Sequence, residues 1–383
     1  MIELSVIVPC YNSQSYLSRC LDSLIKIKNQ NVEFLLINDG STDSTAAIID
    51  RYKSKDTRFK SFSKDNGGYS TAINLGIDKS TGLYLMFLGS DDEVYANELD
   101  LLLKKALSNL PDICFFGTRI EYDDGTSKLD QYTTYKNVDK LFSTDVYSLC
   151  ELVGSDHEIV FARDTSRLFK RDIIGNTRYY GKRGVSADGC FSSLVATDSN
   201  SFLFSDLICY KWNCRKNSVS NRKKSVDLLL DEFIVWESFF NTIREKYQNR
   251  FIPRMIISYL WAYLEVCESL KKEKKSEYKI GYKHFRSYKK WLLHKKGVSF
   301  KDKFRLRFAK LFSFYRKKKN KKRYPRIYEW VMAYIKEFSG KIYFEITPYG
   351  IKKFAGLVDY KIDGRITKTE LMFALTLLFE ENY

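Results

Sequence analysis

The chain has 383 residues, of which 44% are hydrophobic and 15% aromatic, and its net charge at pH 7 is +17. This length is enough for two or three domains with a sizeable core, and the hydrophobic content excludes an intrinsically disordered chain. Residues 1–220 carry 26 Lys and Arg against 29 Asp and Glu, whereas residues 221–383 carry 38 against 18. The acidic part suits a metal ion, and the basic part suits an anionic surface, lipid or nucleic acid.

Strands and helices alternate in the predictions for the first 95 residues. Short apolar runs that end in turn residues predict strands at Leu4–Val8, Phe34–Ile37, Phe59–Ser63 and Leu83–Leu88. Apolar residues at helical spacing predict helices at Tyr16–Ile27, Thr45–Tyr52 and Thr71–Ile77. This alternation implies an α/β fold with a mostly parallel sheet that helices cover on both faces.

The same alternation continues to about residue 220. A helix is predicted at Asn97–Leu110 and another near Cys190–Thr197, with strands at Ile113–Gly117, Thr118–Tyr122, Phe169–Ile173 and Phe202–Tyr210. Beyond a polar break at Asn213–Ser225, long helices are predicted at Leu228–Ile243 and Ile252–Leu270. We therefore expect a first domain over residues 1–220 and a basic, mainly helical C-terminal region over residues 221–383.

Cysteine usage and hydropathy indicate the compartment. The eight cysteines form no C-x-x-C pair and only three histidines are present, so a zinc site is not expected. No apolar run reaches the roughly 18–20 residues that a bilayer span needs, and no signal peptide precedes the first strand. We expect a cytoplasmic protein, either soluble or peripheral on the inner face of the cytoplasmic membrane.

The most informative motif is an apolar run that ends in two carboxylates, Leu85–Asp92 (Leu-Met-Phe-Leu-Gly-Ser-Asp-Asp). In open α/β sheets, ligands bind outside the carboxyl ends of the strands. A carboxylate at that edge can hold a divalent cation, and the cation can hold a diphosphate. The alternative interpretation is an Asp that caps the helix following the strand.

Four segments together resemble a known family. They are Ser5–Asn12, Leu36–Asp43, Asn66–Gly68 with Asn74–Gly76, and Thr81–Asp92. In this order and spacing they are similar to the nucleotide-sugar domain of family 2 glycosyltransferases, which has the GT-A fold. The resemblance covers about residues 1–220, with a nucleotide-sugar half at 1–95 and an acceptor half at 96–220.

The resemblance implies a site for a nucleoside-diphosphate sugar, with UDP favoured. Its candidate binding residues are Pro9, Tyr11, Asn12, Asp39, Asn66, Gly67, Gly68, Ser90 and Asp91. Tyr11 would pack against the base, Asp39 would accept a hydrogen bond from a base N–H, and Asp91 would hold Mg²⁺ or Mn²⁺. Loop packing for Tyr11 and an ordinary turn role for Asp39 are the alternatives.

The sequence departs from the family pattern at two places near this site. Gly89 stands where the first carboxylate of the D-x-D-like motif is expected, and Ile73 stands where an Arg is common. The resemblance therefore implies weaker metal or phosphate contacts, or replacement of the lost carboxylate by Ser90 or by the backbone of Gly89.

The resemblance also implies a catalytic base at the start of a helix about a hundred residues beyond the metal motif. Gly184–Phe191 matches that place, with Ala187 in place of the usual Glu and Asp188 retained. Asp188 is the predicted base, which would remove the proton of the acceptor hydroxyl; a helix N-cap is the alternative. Weaker candidates for the base are Asp198 and Asp206, and candidate contacts to acceptor or phosphate are His157, Lys211 and Arg215.

These features predict an inverting, metal-dependent glycosyltransferase that adds one sugar to a glycan or lipid-linked acceptor in bacterial surface polysaccharide synthesis. A catalytically degenerate GT-A-fold scaffold with a membrane-binding basic tail is the alternative. In that tail, Lys301–Arg323 alternates basic residues with Phe and Leu, which predicts a helix on an anionic membrane surface or a solvated helix. No recognised nucleic-acid motif is present, so a nucleic-acid partner is not expected.

Overall fold

The computed structural model describes residues 1–130, 139–146, 149, 163–182, 186–214, 225–246, 254–272, 274–294, 343–347 and 350–355. The chain divides into two compact units, residues 1–248 with 253–284, and residues 249–252 with 285–383. The first unit thus extends past residue 220, where the sequence predicts a domain boundary; that boundary stays a prediction.

The described strands of the first unit form one mixed sheet. They are β1 (Leu4–Cys10), β2 (Val32–Asp39), β3 (Phe59–Lys64), β4 (Tyr84–Phe87), β5 (Glu93–Val94), β6 (Ile113–Tyr122), β7 (Ser127–Leu129), β8 (Leu141–Ser143), β9 (Arg167–Lys170) and β10 (Ser201–Cys214). The strand order is β3-β2-β1-β4-β9-β6-β10-β5, with β7 paired to β6 and β8 to β10. Strands β3, β2, β1 and β4 are parallel, β9 is antiparallel to β4 and β6, and β6 is parallel to β10.

Helices flank this sheet, and further helices follow its last strand along the chain. They are α1 (Leu17–Ile25), α2 (Thr45–Lys55), α3 (Tyr69–Lys79), α4 (Ala96–Asn109), α5 (Arg171–Ile174), α6 (Ala187–Asp198), α7 (Val226–Lys246), α8 (Arg254–Leu270) and α9 (Lys275–Leu293). All residues of β1, β2 and β4 are buried, as expected of central strands with both faces covered. This arrangement confirms the predicted α/β fold of the GT-A type. The sheet is parallel only from β3 to β4 and mixed beyond β4, where a mostly parallel sheet was predicted.

Three predicted elements differ from the observed ones. Strand β1 continues through Pro9 to Cys10. A proline is tolerated at this position because β4 pairs with β1 only as far as Ile7, so no strand on that side needs the N–H that Pro9 lacks. The two strands predicted at Ile113–Tyr122 are one strand, in which Gly117 remains extended. A Cβ on that glycine would lie 3.2 Å from the carbonyl oxygen of Leu207 in β10, so the residue without a side chain suits this close approach.

The third difference is at Phe169–Ile173, where the strand ends at Lys170 and α5 begins. Helix α9 is not predicted from the sequence, because its apolar spacing depends on aromatic residues set among lysines. Among the helices that the structure describes, none has the length and hydropathy to cross a membrane.

In the second unit the structure describes a hairpin of β11 (Tyr343–Thr347) and β12 (Gly350–Ala355), which pair antiparallel. The predicted basic helix at Lys301–Arg323 lies outside the described residues.

Candidate active site

The loops that follow β1, β2 and β4 meet at one edge of the sheet, because these parallel strands end on the same side. The hydroxyl oxygens of Ser13 and Ser90 lie 2.9 Å apart and join the loop after β1 to the loop after β4. The side-chain oxygen of Asn12 accepts a hydrogen bond of 2.9 Å from the N–H of Thr42, which joins the first loop to the one after β2. The structure therefore brings together the candidate residues that follow these three strands.

Tyr11 and Asn12 follow the last residue of β1, in the loop at this edge. The backbone of Asn12 adopts a φ of +47°, in the left-handed region that Asn tolerates better than most residues. The preceding side chain, Tyr11, is 52% exposed, whereas Pro9 is buried within β1. An exposed ring at this edge is available to pack on a flat ligand, and the nucleotide-base contact stays a prediction.

Asp39, the last residue of β2, holds the turn at Asn66–Gly68. Its Oδ1 accepts hydrogen bonds from Lys64 Nζ at 2.7 Å and from the N–H of Gly67 at 2.9 Å. Its Oδ2 accepts one from the N–H of Gly68 at 2.8 Å. These contacts agree with the turn role considered from the sequence; a further contact to a base stays a prediction.

Gly68 lies where a side chain does not fit. Its φ is +88°, and a Cβ would lie 2.2 Å from the carbonyl oxygen of Lys182. The N–H of Ser70 donates to the same carbonyl at 3.2 Å. The turn after β3 is thus packed directly against the segment that precedes α6.

The two adjacent carboxylates after β4 have different environments. Asp92 is buried, and its carboxylate accepts hydrogen bonds from Tyr210 Oη at 2.6 Å and from the N–H of Asn213 at 2.9 Å. Asp91 is half-buried, and its backbone carbonyl accepts hydrogen bonds from Asn213 Nδ2 at 2.9 Å and from Arg19 at 3.1 Å. Asp92 therefore anchors the loop to β10, and the loop in turn positions Asp91.

The missing first carboxylate of the motif has a packing reason. A Cβ on Gly89 would lie 2.7 Å from Asp92 Oδ2 and 2.9 Å from Asp91 Oδ1. The N–H of Gly89 donates to Tyr210 Oη at 3.2 Å. In this loop the carboxylates of Asp91 and Asp92 take the space that a side chain at position 89 would need.

A metal at this loop would have one protein carboxylate as a ligand. Among the residues that the structure describes, no three His, Cys, Asp or Glu side chains converge on one point. Mg²⁺ is commonly held by one or two carboxylates together with substrate phosphates and water. The half-buried carboxylate of Asp91 fits that mode, so a cation there would depend on a bound diphosphate.

Lys211, a predicted contact to acceptor or phosphate, pairs with Glu93 beside the same loop. Its Nζ lies 3.2 Å from Glu93 Oε1, and Arg19 Nε lies 3.1 Å from that oxygen. A phosphate contact of Lys211 stays a prediction. The other two predicted contacts, His157 and Arg215, lie outside the described residues.

Asp188 is the second residue of α6 and is half-buried. Burial, and then the negative charge of Asp164, raise the pKa of Asp188 to about 7. The N–H of Gly189, which donates to Asp188 Oδ1 at 2.8 Å, and the charges of Arg163 and Arg167 act in the opposite direction. A carboxyl group with this pKa can accept a proton near neutral pH.

The weaker candidates for the base lie elsewhere. Asp198 is the exposed last residue of α6, and Asp206 is exposed within β10. Ala187, which stands where the resemblance implies a Glu, is fully buried.

Helix α7 holds the segment in front of α6. Asp231 Oδ1 accepts a hydrogen bond of 2.7 Å from the N–H of Lys182, and Glu232 Oε1 accepts one of 3.2 Å from the hydroxyl of Ser186. Both acidic residues are buried. The sequence does not predict this function, because no local pattern links a helix predicted beyond residue 220 to the site.

Several other residues around the carboxylates are also missed. Tyr210 and Asn213 fix Asp92, and Tyr179 donates a short hydrogen bond to the buried Asp164. The pKa of Tyr69 is raised by burial and by the charges of nearby carboxylates, first Asp164 and Asp188 and then Asp92 and Asp91.

This sheet and its flanking helices define an α/β domain of the GT-A type. Residues 5–177 match the family model described as Glycosyl transferase family 2, so this part of the chain is similar to that family.

The chain is also similar to proteins that are named glycosyltransferases. The chain is 28% identical over 230 residues to glycosyltransferase GlyA of Streptococcus pneumoniae serotype 4, covering 57% of this chain and 31% of that protein. It is 28% identical over 215 residues to glycosyltransferase GlyG of the same organism, covering 52% of this chain and 70% of that protein. The chain thus matches less than a third of the length of GlyA.

The fold is also similar to that of S. aureus TarS, residues 1–349, in a crystal structure with UDP-GlcNAc. The TM-score is 0.61 at 17% identity, covering 91% of this chain and 95% of the TarS chain. At this identity the likeness concerns the fold.

Proposed function

We propose that the protein is an inverting, metal-dependent glycosyltransferase. It moves one sugar from a nucleoside-diphosphate sugar, with UDP favoured, to a hydroxyl group of a glycan or lipid-linked acceptor. Bacterial surface polysaccharide synthesis, such as that of capsule or lipopolysaccharide, is the corresponding process. The protein would work in the cytoplasm, at the inner face of the cytoplasmic membrane.

The environment of Asp188 is the observation that carries this proposal. A base that takes the proton of an attacking hydroxyl works best when its pKa lies near the working pH. Burial and the charge of Asp164 raise the pKa of Asp188 to about 7, and Lys182, five residues before the helix of Asp188, lies against the turn that Asp39 holds. A single displacement with inversion then needs only this base on the acceptor side.

The donor would bind at the edge formed by the loops after β1, β2 and β4. Tyr11 is exposed there to pack on the base, and Asp39 keeps Gly67 and Gly68 close to the ligand. Asp91 would hold Mg²⁺ or Mn²⁺ together with the diphosphate, and the bound cation would offset charge on the departing diphosphate. UDP is favoured because the similar TarS structure contains UDP-GlcNAc.

Nucleotide binding is the first test. We expect UDP to raise the melting temperature more than GDP, dTDP or CMP, and only with Mn²⁺ or Mg²⁺ present. Excess EDTA should remove the shift, and Asp91→Asn should weaken it, because the diphosphate then loses its cation. A shift that EDTA does not change would contradict a metal-dependent donor site.

Turnover separates this proposal from the alternative, a catalytically degenerate scaffold with a membrane-binding tail. The absence of a carboxylate at Gly89 motivates that alternative. A transferase releases nucleoside diphosphate from a matching donor and yields a product whose anomeric configuration, measured by NMR, is opposite to that of the donor. A scaffold binds nucleotide without turnover, and a retained configuration would contradict the single displacement.

A further inference from the structure

Asp164 is a buried carboxylate to which the proposed reaction gives no role. Its side chain is 2% exposed and accepts a hydrogen bond from the phenol of Tyr179. The pKa of Asp164 is raised, because burial outweighs the Tyr179 hydrogen bond, the positive charge of Arg167 and the backbone hydrogen bonds that lower it. A buried carboxylate that is supplied with these partners is held in one place and in one orientation.

Hydrogen bonds join the segment that carries Asp164 to α6, the helix whose second residue is Asp188. Arg167 donates a hydrogen bond to Ser192 Oγ in α6, and that hydroxyl donates to the carbonyl of Arg163 at 2.6 Å. These contacts bind the chain on both sides of Asp164 to the second turn of α6. The segment of Asp164 is therefore held against the helix that carries Asp188.

Tyr179 is fixed by further contacts. Its ring stacks on Phe191 of α6 with 4.3 Å between ring centroids, and its backbone N–H donates to Asn74 Oδ1 at 2.9 Å. The phenol that holds Asp164 is thus itself held between α3 and α6. Hydrogen bonds and ring stacking thus link α3, through Tyr179 and Asp164, to α6, the helix of Asp188.

We propose that Asp164 is a positioning residue that acts through Asp188: its fixed, buried charge makes Asp188 a stronger base for the acceptor hydroxyl. This inference rests on the proposed function, because it assigns Asp164 a part in the same transfer. The acceptor proton moves to the Asp188 carboxylate as the hydroxyl oxygen forms its bond to the anomeric carbon. The bond from that carbon to the diphosphate breaks, and the diphosphate leaves with the electron pair.

The charges around the pair agree with this role. Two neighbouring carboxyl groups lose their protons in two steps that belong to the pair. Burial raises the pKa of both groups, and the charge of Asp164 raises that of Asp188 further, to about 7, so the later proton is held at Asp188. The other groups that face the pair are Arg163, which opposes this shift, and Tyr69, Tyr179 and Cys190, whose own pKa values are raised by burial and which stay neutral.

The pH profile of transfer tests the inference. In the wild type, kcat/KM should rise with pH through a midpoint near 7, the pKa of Asp188. In Asp164→Asn, which keeps an acceptor for Tyr179 but removes the charge, the midpoint should fall by about one pH unit or more. Asp198→Asn removes one charge from the exposed end of the same helix and should leave the midpoint unchanged. A lower rate at every pH with an unmoved midpoint would overturn the inference.

Thermal unfolding gives a readout that does not need activity. A carboxyl group whose pKa is raised on folding weakens the fold progressively as pH rises from its unfolded value, about 4, to its folded value. The wild type should therefore lose melting temperature relative to Asp188→Asn between about pH 4 and 7. In an Asp164→Asn background this difference should shrink, and an unchanged difference would overturn the inference.

The two readouts distinguish the possible failures. If no donor gives transfer but the unfolding profiles shift as expected, the proposed function fails while the coupling of the two carboxylates stands. If transfer occurs and neither profile shifts, the inference fails and the function stands. Should Asp164→Asn not fold, Asp164→Ser retains a hydroxyl acceptor for Tyr179 in a smaller side chain and is measured in the same way.

Discussion

Asn74 and Tyr179 exchange two hydrogen bonds across the site. Asn74 Nδ2 donates to the carbonyl of Tyr179 at 3.0 Å, and the N–H of Tyr179 donates to Asn74 Oδ1 at 2.9 Å. This pair joins α3, in the nucleotide-sugar half, to the segment that leads to Asp188. An amide at position 74 is the one short side chain that donates and accepts in this way.

Replacing Asn74 by Ala should loosen that segment. Two lost hydrogen bonds correspond to about 1–3 kcal/mol of unfolding free energy. We expect a lower melting temperature and a lower kcat, with the affinity for UDP nearly unchanged because the Asp39 turn remains. Asn109→Ala is the matched control, since the Asn109 side chain bonds only within α4. A weakened UDP affinity with normal kcat would contradict this division of roles.

Asp39 and Asp43 provide a matched pair for nucleotide affinity. Asp39 holds Gly67 and Gly68, whereas Asp43 accepts hydrogen bonds from the N–H groups of Gln14 and Thr45 and supports the start of α2. Asp39→Asn loses the ion pair with Lys64 and part of the hydrogen bonding to the turn. The Kd for UDP should therefore rise by about tenfold, which corresponds to a loss of about 1.4 kcal/mol of binding free energy.

Asp43→Asn should lower the melting temperature slightly and leave that Kd within about twofold. Isothermal titration calorimetry measures both constants. Equal losses of affinity in the two variants would mean that Asp39 has no special place in the donor site.

Glu33 makes part of the stability depend on pH. Its buried carboxylate accepts hydrogen bonds from the hydroxyl of Ser5 at 2.6 Å, from Lys60 Nζ at 2.7 Å and from the N–H of Thr81 at 2.7 Å. Burial alone would raise the pKa of Glu33, but these hydrogen bonds outweigh burial and lower it. The stabilisation is thus fully present above the unfolded pKa, about 4.3, and is lost as pH falls through the folded pKa.

Glu33→Gln should therefore cost about 1–3 kcal/mol of unfolding free energy at pH 7, measured by urea denaturation. The difference from the wild type should shrink as pH falls below about 4.3. Glu265→Gln, at an exposed position in α8, should show neither effect. A cost that persists unchanged to pH 3 would show that the charge of Glu33 is not involved.

Restoring the family's first carboxylate should harm the protein. A Cβ at position 89 would lie 2.7 Å from Asp92 Oδ2, so Gly89→Asp has to displace the Asp92–Tyr210 contact. We expect a loss of about 1–3 kcal/mol of unfolding free energy and weaker Mn²⁺-dependent UDP binding. Gly89→Ala adds the Cβ without a charge and should share the loss of stability. Tighter Mn²⁺-dependent binding in a fully stable Gly89→Asp variant would contradict the packing reason.

Local sequence patterns predicted the positions of the site residues that follow the ends of strands. The apolar runs of β1, β2 and β4 each stop at turn residues, and parallel strands place those ends together, so Asp39 and Asp91 could be placed from the sequence. The partners of these carboxylates could not. Tyr210 meets Asp92 across 118 residues of sequence through antiparallel pairing of β10 with β5, which no local pattern indicates.

The same limit applies to the acceptor half. Asp164 precedes a short strand and looks like an ordinary turn residue, and only the packed fold brings it to α6. Asp231 and Glu232 lie in α7, beyond the predicted boundary at residue 220, yet they support the segment in front of Asp188. Contacts between distant elements decide these roles, and helical or strand periodicity does not encode them.

The most direct measurement is the release of nucleoside diphosphate with Mn²⁺ for the wild type, Asp188→Asn and Asp198→Asn. The two variants remove a carboxylate from the first and the last turn of the same helix, α6. We expect Asp198→Asn to match the wild type and Asp188→Asn to lose about 10²–10⁴-fold in kcat, the usual contribution of a general base. Wild-type turnover in Asp188→Asn, with nucleotide binding intact, would contradict the assignment of Asp188 as the base.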